Sequence, residues 1–244
     1  MNRFYCLRAD ISGDKITIQD REQMHHIKDV LRLKEGEKVA IFDEDKFEYS
    51  CVISKISDKV YLDIKTRVNP CLADSRFKLT IACAIPKKAK IDDITDKLVQ
   101  LGVHSVIPLM TERVVVKLDK QKKLLRLERW KKIALSAAKQ SQRNSLPIIE
   151  PVMSFKEVVA LADKFDLKLI PTLGGRRKSL KEIFAKITPA SIIVLIGPEG
   201  DFTDDEVNLA KKAGFIPITL GDLVLRVDTA ALAIASFIRL NADH

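Results

Sequence analysis

The stretch Ser191-Ile192-Ile193-Val194-Leu195-Ile196-Gly197-Pro198-Glu199-Gly200 decides the fold. Its first six residues are almost wholly apolar and mostly β-branched, the composition of a strand buried on both faces of a parallel sheet. Pro198 cannot donate to a strand ladder, so the strand stops there, and Gly200 lets the backbone turn sharply. A helix is predicted from Thr203, where Thr203 and Glu206 form a capping-box pattern among the apolar positions Phe202, Val207, Leu209, Ala210 and Ala213. Strand, glycine turn and helix N-terminus also describe a phosphate site. Asp201, Asp204 and Asp205 argue against one, because their carboxylates would compete with phosphate for the positive end of the helix dipole. A neutral or cationic ligand fits better, and an ordinary strand-to-helix turn is the alternative.

A second constellation follows about twenty residues later: Leu220-Gly221-Asp222-Leu223-Val224-Leu225-Arg226-Val227-Asp228-Thr229-Ala230. Leu220-Gly221 ends a short strand around Phe215 to Thr219. An apolar helix is predicted from roughly Thr229 to Leu240. Its side chains are apolar nearly all round, so it must be buried, either in the core or against a second subunit. Few elements of the chain follow the last strand to cover it, which points to a symmetric dimer with this helix at or near the interface. Arg226 enters this helix and needs a partner. A salt bridge to Asp222, Asp228 or Glu199 would supply one; an anion- or carbonyl-binding role at the mouth of a site is the other reading. Two glycine-containing loops after two apolar runs sit where open α/β sheets bind ligands.

Together the loops resemble the signature of the RsmE family within the trefoil-knotted SPOUT RNA methyltransferases: IGPEGG-x-[ST]-x-x-E, then LG-x-x-x-LR-x-[ED]-T-A. Asp201 stands where the family usually has Gly, and Asp228 where Glu is common. Thr111-Glu112-Arg113-Val114-Val115-Val116-Lys117 is similar to a TERSVVK-type motif. Arg129-Trp130-Lys131-Lys132-Ile133-Ala134, continuing to Gln140-Ser141-Gln142-Arg143 and Pro147, is similar to RW-x-KI-x-x-A-A-EQS-x-R-x-x-x-P. Lys139 replaces a frequent Glu there, and Gln142 a frequent Gly. The match runs through nearly the whole chain in order.

The resemblance implies an S-adenosyl-L-methionine-dependent methyltransferase acting on N3 of a uridine in 16S ribosomal RNA, within the small subunit, and working as a homodimer. It implies an α/β-knot domain behind a small barrel of PUA or OB-like form. The cofactor then sits among three loops: Pro171-Thr172-Leu173-Gly174; Ile196, Gly197, Pro198, Glu199 and Gly200; and Leu220, Gly221, Val224, Leu225 and Arg226 with Thr229. Arg226 becomes the candidate stabiliser of negative charge on the uridine carbonyls, and Glu199, like Asp228, a candidate base. Ribose 2′-O methylation and a non-catalytic ribosome-assembly role remain the alternatives.

Composition bounds the rest. The chain has 244 residues, 46% of them hydrophobic, and a formal net charge of +9, which favours a polyanionic partner. No apolar run is long enough to span a membrane and the N-terminus lacks a signal-peptide core, so a cytoplasmic location is expected. Cys6, Cys51, Cys71 and Cys83 are widely spaced and read as reduced, mostly buried thiols; no metal-ligand spacing is visible.

Two domains are expected, 1–70 and 71–244. The first carries short alternating strands at Arg3 to Leu7, Lys15 to Ile18, Lys38 to Phe42, Phe47 to Ile56 and Val60 to Lys65, with one helix from about Arg21 to Leu33 that ends before Gly36. The second alternates strands near Lys78–Ala84, Val103–Leu109, Leu167–Leu173, Ser191–Ile196 and Phe215–Thr219 with helices, the pattern of a mostly parallel α/β sheet. Basic residues cluster at Lys117 to Lys132 and Pro86 to Lys90, either as solvated faces or as phosphate-tracking surface. The candidate RNA contacts are Arg3, Arg32, Arg113, Lys117, Gln140 and Arg143. Arg3, His26 and Arg32 lie where the resembled family opens with an R-[FY]-[FY] strand and an HI-x-x-VLR helix.

Overall fold

The computed structural model describes residues 1–45, 47–68, 77–86, 90–114, 119–141, 143 and 145–242. The chain forms two compact units, 1–74 with 138–146, and 75–137 with 147–244. The division near residue 74 lies a few residues beyond the expected 70, and the segment 138–146 groups with the first unit.

In the first unit, strands β1 (Asn2–Cys6), β2 (Ile11–Ser12), β3 (Lys15–Ile18), β4 (Lys38–Asp43), β5 (Glu48–Ile56) and β6 (Val60–Val68) form one sheet in the order β1-β4-β5-β6-β3-β2. β1 runs parallel to β4 and the remaining pairs are antiparallel, giving a mixed half-barrel. Alternation puts Tyr49, Cys51 and Ile53 of β5 on the inner face with Phe4, Ile16, Ile41 and Leu62. Asp20 caps helix α1 (Arg21–His25) by accepting from the Gln23 amide, and the helix widens into a π turn over His26–Val30. The expected helix thus stops at Val30. Arg32, rather than a glycine, takes the left-handed conformation at φ 52°, and the Leu33 amide bonds back to the Ile27 carbonyl at 2.9 Å.

The second unit is built on a largely parallel sheet. Its strands are β7 (Lys78–Ala84), β8 (Ser105–Met110), β9 (Ile148–Ile149), β10 (Met153–Ser154), β11 (Leu167–Pro171), β12 (Lys178–Ser179), β13 (Ser191–Ile196) and β14 (Ile216–Thr219). The order is β10-β8-β7-β13-β11-β14-β12, with β9 pairing β8. β13 lies between β7 and β11, and Ile192 to Ile196 are all buried. That is the double burial its composition requires. Helices α2 (Lys90–Gln100), α3 (Lys120–Gln140), α4 (Phe155–Val159), α5 (Leu180–Phe184), α6 (Asp204–Lys212) and α7 (Val227–Ala242) connect and cover these strands. Ile91, Ile94 and Leu98 supply the expected buried stripe of α2. Trp130 anchors α3, its indole N–H donating to Asp92 Oδ1 at 2.9 Å, while Arg129 pairs with Oδ2 of the same carboxylate at 2.6 Å. The Arg-Trp of that motif is therefore a fixture between α3 and α2.

Helix α7 corrects one expectation. Ala231, Ile234, Ala235 and Ile238 are fully buried within the chain, where α7 packs against α2, β7 and β13. Its burial needs no second subunit, and a charge placed at Ala231 or Ala235 would sit in the chain's own core. Thr229, Ala233 and Leu240 lie on the face left exposed.

Candidate active site

Three neighbouring parallel strands, β13, β11 and β14, deliver their C-terminal ends to one edge of the sheet. Pro171 pairs with Ile218 there, and Ile196 is the last residue of its ladder. The loops that follow line an open pocket. Pro171, Thr172 and Leu173 line it from the first loop, Ile196, Gly197, Pro198 and Glu199 from the second, and Leu220, Gly221, Val224 and Leu225 from the third. The site thus brings together most of the side chains expected from sequence. Gly174, Gly200, Arg226 and Thr229 are not among the lining residues. Arg177, Asp201, Leu223, Val227 and Ala230 line the cavity and were not anticipated as part of it.

Asp201 holds two of the loops together. Its backbone is left-handed, at φ 60°, a conformation that glycine adopts without cost. Its Oδ2 accepts from the Leu173 amide at 3.1 Å and its Oδ1 from the Phe202 amide at 2.8 Å. The carboxylate therefore clips the loop after β11 to the loop after β13. Phe202 is buried on Phe155, with ring centroids 5.3 Å apart, and a Cβ at Gly197 would stand 3.1 Å from the Phe202 ring. Gly197 is thus needed for close approach rather than for an unusual dihedral angle. At Gly200 a Cβ would meet Arg113 Cδ at 3.4 Å, an ordinary contact.

The helix after this loop starts as expected. Thr203 caps α6 by accepting from the Glu206 amide, and Glu206 Oε2 accepts from the Thr203 amide at 3.0 Å. Glu206 is buried, and its Oε1 also accepts from the Glu112 amide at 3.0 Å. Next to it, Arg113 donates to the carbonyls of Gly200 and Phe202. The Thr111-Glu112-Arg113 motif is thereby a brace for the second loop.

Arg226 is exposed at the start of α7, and only its backbone carbonyl is engaged, by the Ala230 amide at 2.8 Å. Among the described residues its guanidinium forms no ion pair, so the salt-bridge alternative is not realised, and in the single chain it faces solvent. Glu199 is exposed on the cavity wall. Burial of Cys83 beneath them pushes its thiol up to about 12, with Asp228 and Glu199 adding to the rise, so it stays protonated and inert.

Two of the candidate RNA contacts have other work. Arg3 pairs with Glu48 at 3.0 Å, lies 5.0 Å over the Phe42 ring, and its side chain is only 10% exposed. Arg113 is committed to the carbonyls named above. Arg32 and Gln140 are exposed, and Arg143 is half-buried with its Nη2 3.4 Å from Ser145 Oγ. Lys117 lies outside the described residues, as does Cys71.

Comparison with known proteins places this geometry. An RNA methyltransferase domain model matches residues 73–239 and an RNA methyltransferase PUA domain model matches residues 18–65. The chain is 33% identical to the ribosomal RNA small subunit methyltransferase E of Bacillus subtilis over 91% of its own length and 89% of that protein's. A Legionella pneumophila methyltransferase solved with bound S-adenosylmethionine superposes with a TM-score of 0.88 at 30% identity, covering 98% of this chain and 96% of that one. The ribosomal RNA small subunit methyltransferase E of Neisseria gonorrhoeae, also bound to S-adenosylmethionine, gives 0.86 at 28% identity, covering 98% and 97%.

Asp201→Gly separates the clip from the backbone it strains. Glycine removes the left-handed penalty of about 1 kcal/mol but also both side-chain hydrogen bonds, each worth a similar net amount. Global stability should therefore stay within about 1 kcal/mol of wild type. Hydrogen exchange at the Leu173 amide should accelerate by about tenfold or more once its acceptor is gone. Unchanged protection at Leu173 would show that Asp201 does not join the loops.

Proposed function

The chain belongs to the ribosomal RNA small subunit methyltransferase E family, and on that footing we propose that it transfers a methyl group from S-adenosylmethionine to N3 of a uridine in 16S ribosomal RNA, in the cytoplasm. The observation that carries this reading is the cavity at the ends of β13, β11 and β14. Leu173, Ile196, Leu220, Val224 and Leu225 give apolar walls for an adenine ring, while Glu199 and Asp201 suit a cationic ligand. The residues present therefore fit the cofactor, whose sulfonium supplies an electrophilic methyl group when bound. The residues proposed to hold it are the lining positions of the three loops: Pro171, Thr172 and Leu173; Ile196, Gly197, Pro198 and Glu199; and Leu220, Gly221, Val224 and Leu225.

Uridine N3 carries a proton at neutral pH. Its loss spreads negative charge onto the flanking carbonyl oxygens, and a guanidinium donor stabilises that charge. Arg226 is the proposed donor, since it adjoins the cavity loops and keeps its guanidinium free of partners among the described residues. Glu199 is the proposed acceptor for the proton, being a carboxylate on the cavity wall with no hydrogen bond among the described residues. RNA phosphates are proposed to meet Arg32, Gln140, Arg143 and Lys117. A homodimer is part of the same reading. Leu223 and Val224 of the third loop are 80% and 72% exposed, and Leu240 on the open face of α7 is 66% exposed, apolar side chains that a second copy could cover.

Arg226→Ala should lower kcat by about 10²–10³, some 2.7–4 kcal/mol, as loss of an oxyanion donor does, with cofactor affinity little changed. Mass spectrometry of small-subunit RNA from a deletion strain should show loss of one base methylation at N3. Loss of a ribose 2′-O methyl group, or of none, would overturn the assignment. Arg32→Ala with Arg143→Ala should flatten the slope of log affinity against log salt by about one unit for each phosphate no longer neutralised. An unchanged slope would remove this surface from RNA binding. Sedimentation at micromolar concentration should report a dimer, and a lone 27.5 kDa species would refute it.

A further inference from the structure

Arg177 is the only cation among the described residues that line the cavity, where the other charged groups are Glu199 and Asp201. It directly precedes β12, and the pairing of β12 with Ile218 and Thr219 of β14 keeps it beside the strand ends that form the site. The guanidinium is half-buried and fixed by Nη1, which donates to the Thr172 carbonyl at 3.0 Å. A guanidinium has five N–H donors, so this bond orients the group and leaves the others to serve a ligand. No ion pair to Arg177 forms among the described residues, and the Asp201 carboxylate on the same wall accepts from the Leu173 and Phe202 amides instead. A half-buried cation that is held but not paired, at the wall of a largely apolar cavity, is built to receive an anion.

We propose that Arg177 binds the α-carboxylate at the amino-acid end of S-adenosylmethionine. The assignment rests on the cofactor reading given above and deepens it. The ligand carries one carboxylate, one ammonium and one sulfonium; the cavity carries one guanidinium and two carboxylates. Arg177 is the one group of the described lining whose charge is opposite to the carboxylate's, which a cavity with only acidic residues would not offer. The carboxylate survives methyl transfer unchanged, so its interaction with Arg177 contributes equally before and at the transition state. Arg177 therefore governs cofactor affinity and not the rate of the bound complex.

Calorimetry on the full chain tests this with two ligands, S-adenosylmethionine and decarboxylated S-adenosylmethionine, against wild type and Arg177→Gln. Glutamine can still donate to the Thr172 carbonyl but has no charge. Wild type should prefer the carboxylated ligand by about ten- to a hundredfold, the usual weight of a charge-assisted hydrogen bond, and Arg177→Gln should lose that preference. Arg177→Lys should restore part of it. A wild type without the preference, or an Arg177→Gln variant that retains it, overturns the proposal. Equal weakening of both ligands would reduce Arg177 to a prop for the Thr172 loop. A variant that keeps the preference but loses salt-dependent RNA affinity would make it a phosphate-binding group instead. Failure of wild type to bind S-adenosylmethionine at all would overturn the cofactor reading itself.

Discussion

The rest of this molecule depends on the burial of β13. A strand flanked on both sides by parallel neighbours and covered on both faces has no solvated edge, so Ile192 to Ile196 must be apolar and the chemistry must lie beyond them. Gly197 and Pro198 are the first positions at which the chain can leave the sheet. Because β11 and β14 run in the same direction, their ends at Pro171 and Thr219 open onto the same edge. Three loops from distant parts of the chain are thus gathered by backbone pairing alone, and the ligand cavity is a consequence of strand order.

Pairing gathers the loops, but polar clamps give them shape. Glu206 ties the start of α6 to the loop after β8, Arg113 ties that loop to the carbonyls of Gly200 and Phe202, and Asp201 ties the latter region to Leu173. Each clamp joins a charged side chain to backbone groups that strand ladders leave unused, so each satisfies groups that would otherwise be costly to enclose. Their effect is to hold the loops in place, which lowers the ordering cost that binding must overcome.

Legibility in the sequence followed the range of the interactions. The strands, the capping box at Thr203 and Glu206, and the two glycine-containing loops are short-range patterns and stand out from neighbouring residues alone. The second partner of an arginine is not a local property. Arg113 reads as a surface cation until the loop 87 residues away folds onto it, and Arg3 does so until Glu48 arrives on β5. Helix α7 shows the same limit. An apolar circumference demands cover, but nothing in its own residues says whether α2 and the sheet provide it or a second subunit does. Arg177 was missed because it lies in a short run of Gly, Arg and Lys with no periodicity; only the return of β12 to β14 brings it to the cavity. Asp201 was visible as a departure from the resembled pattern, yet its left-handed backbone and double acceptance became evident only with the fold.

The contrast between the cavity and Arg226 bears on how the proposed reaction is controlled. In the single chain the cavity is held by the clamps named above, so on the proposed reading cofactor binding rests on the fold. Arg226 lies outside that lining, exposed and unpaired among the described residues. A guanidinium in water stabilises charge weakly, because solvent screens it; the same group is worth several kcal/mol when water is excluded. On the proposed mechanism, the exclusion must come from what docks against the loop Leu220–Arg226, namely the RNA, a second subunit or both. Cofactor affinity and catalytic power would then be supplied separately, the first by the fold and the second by docking. Such a division would keep the bound methyl donor unreactive toward stray nucleophiles until the ribosomal substrate is in place.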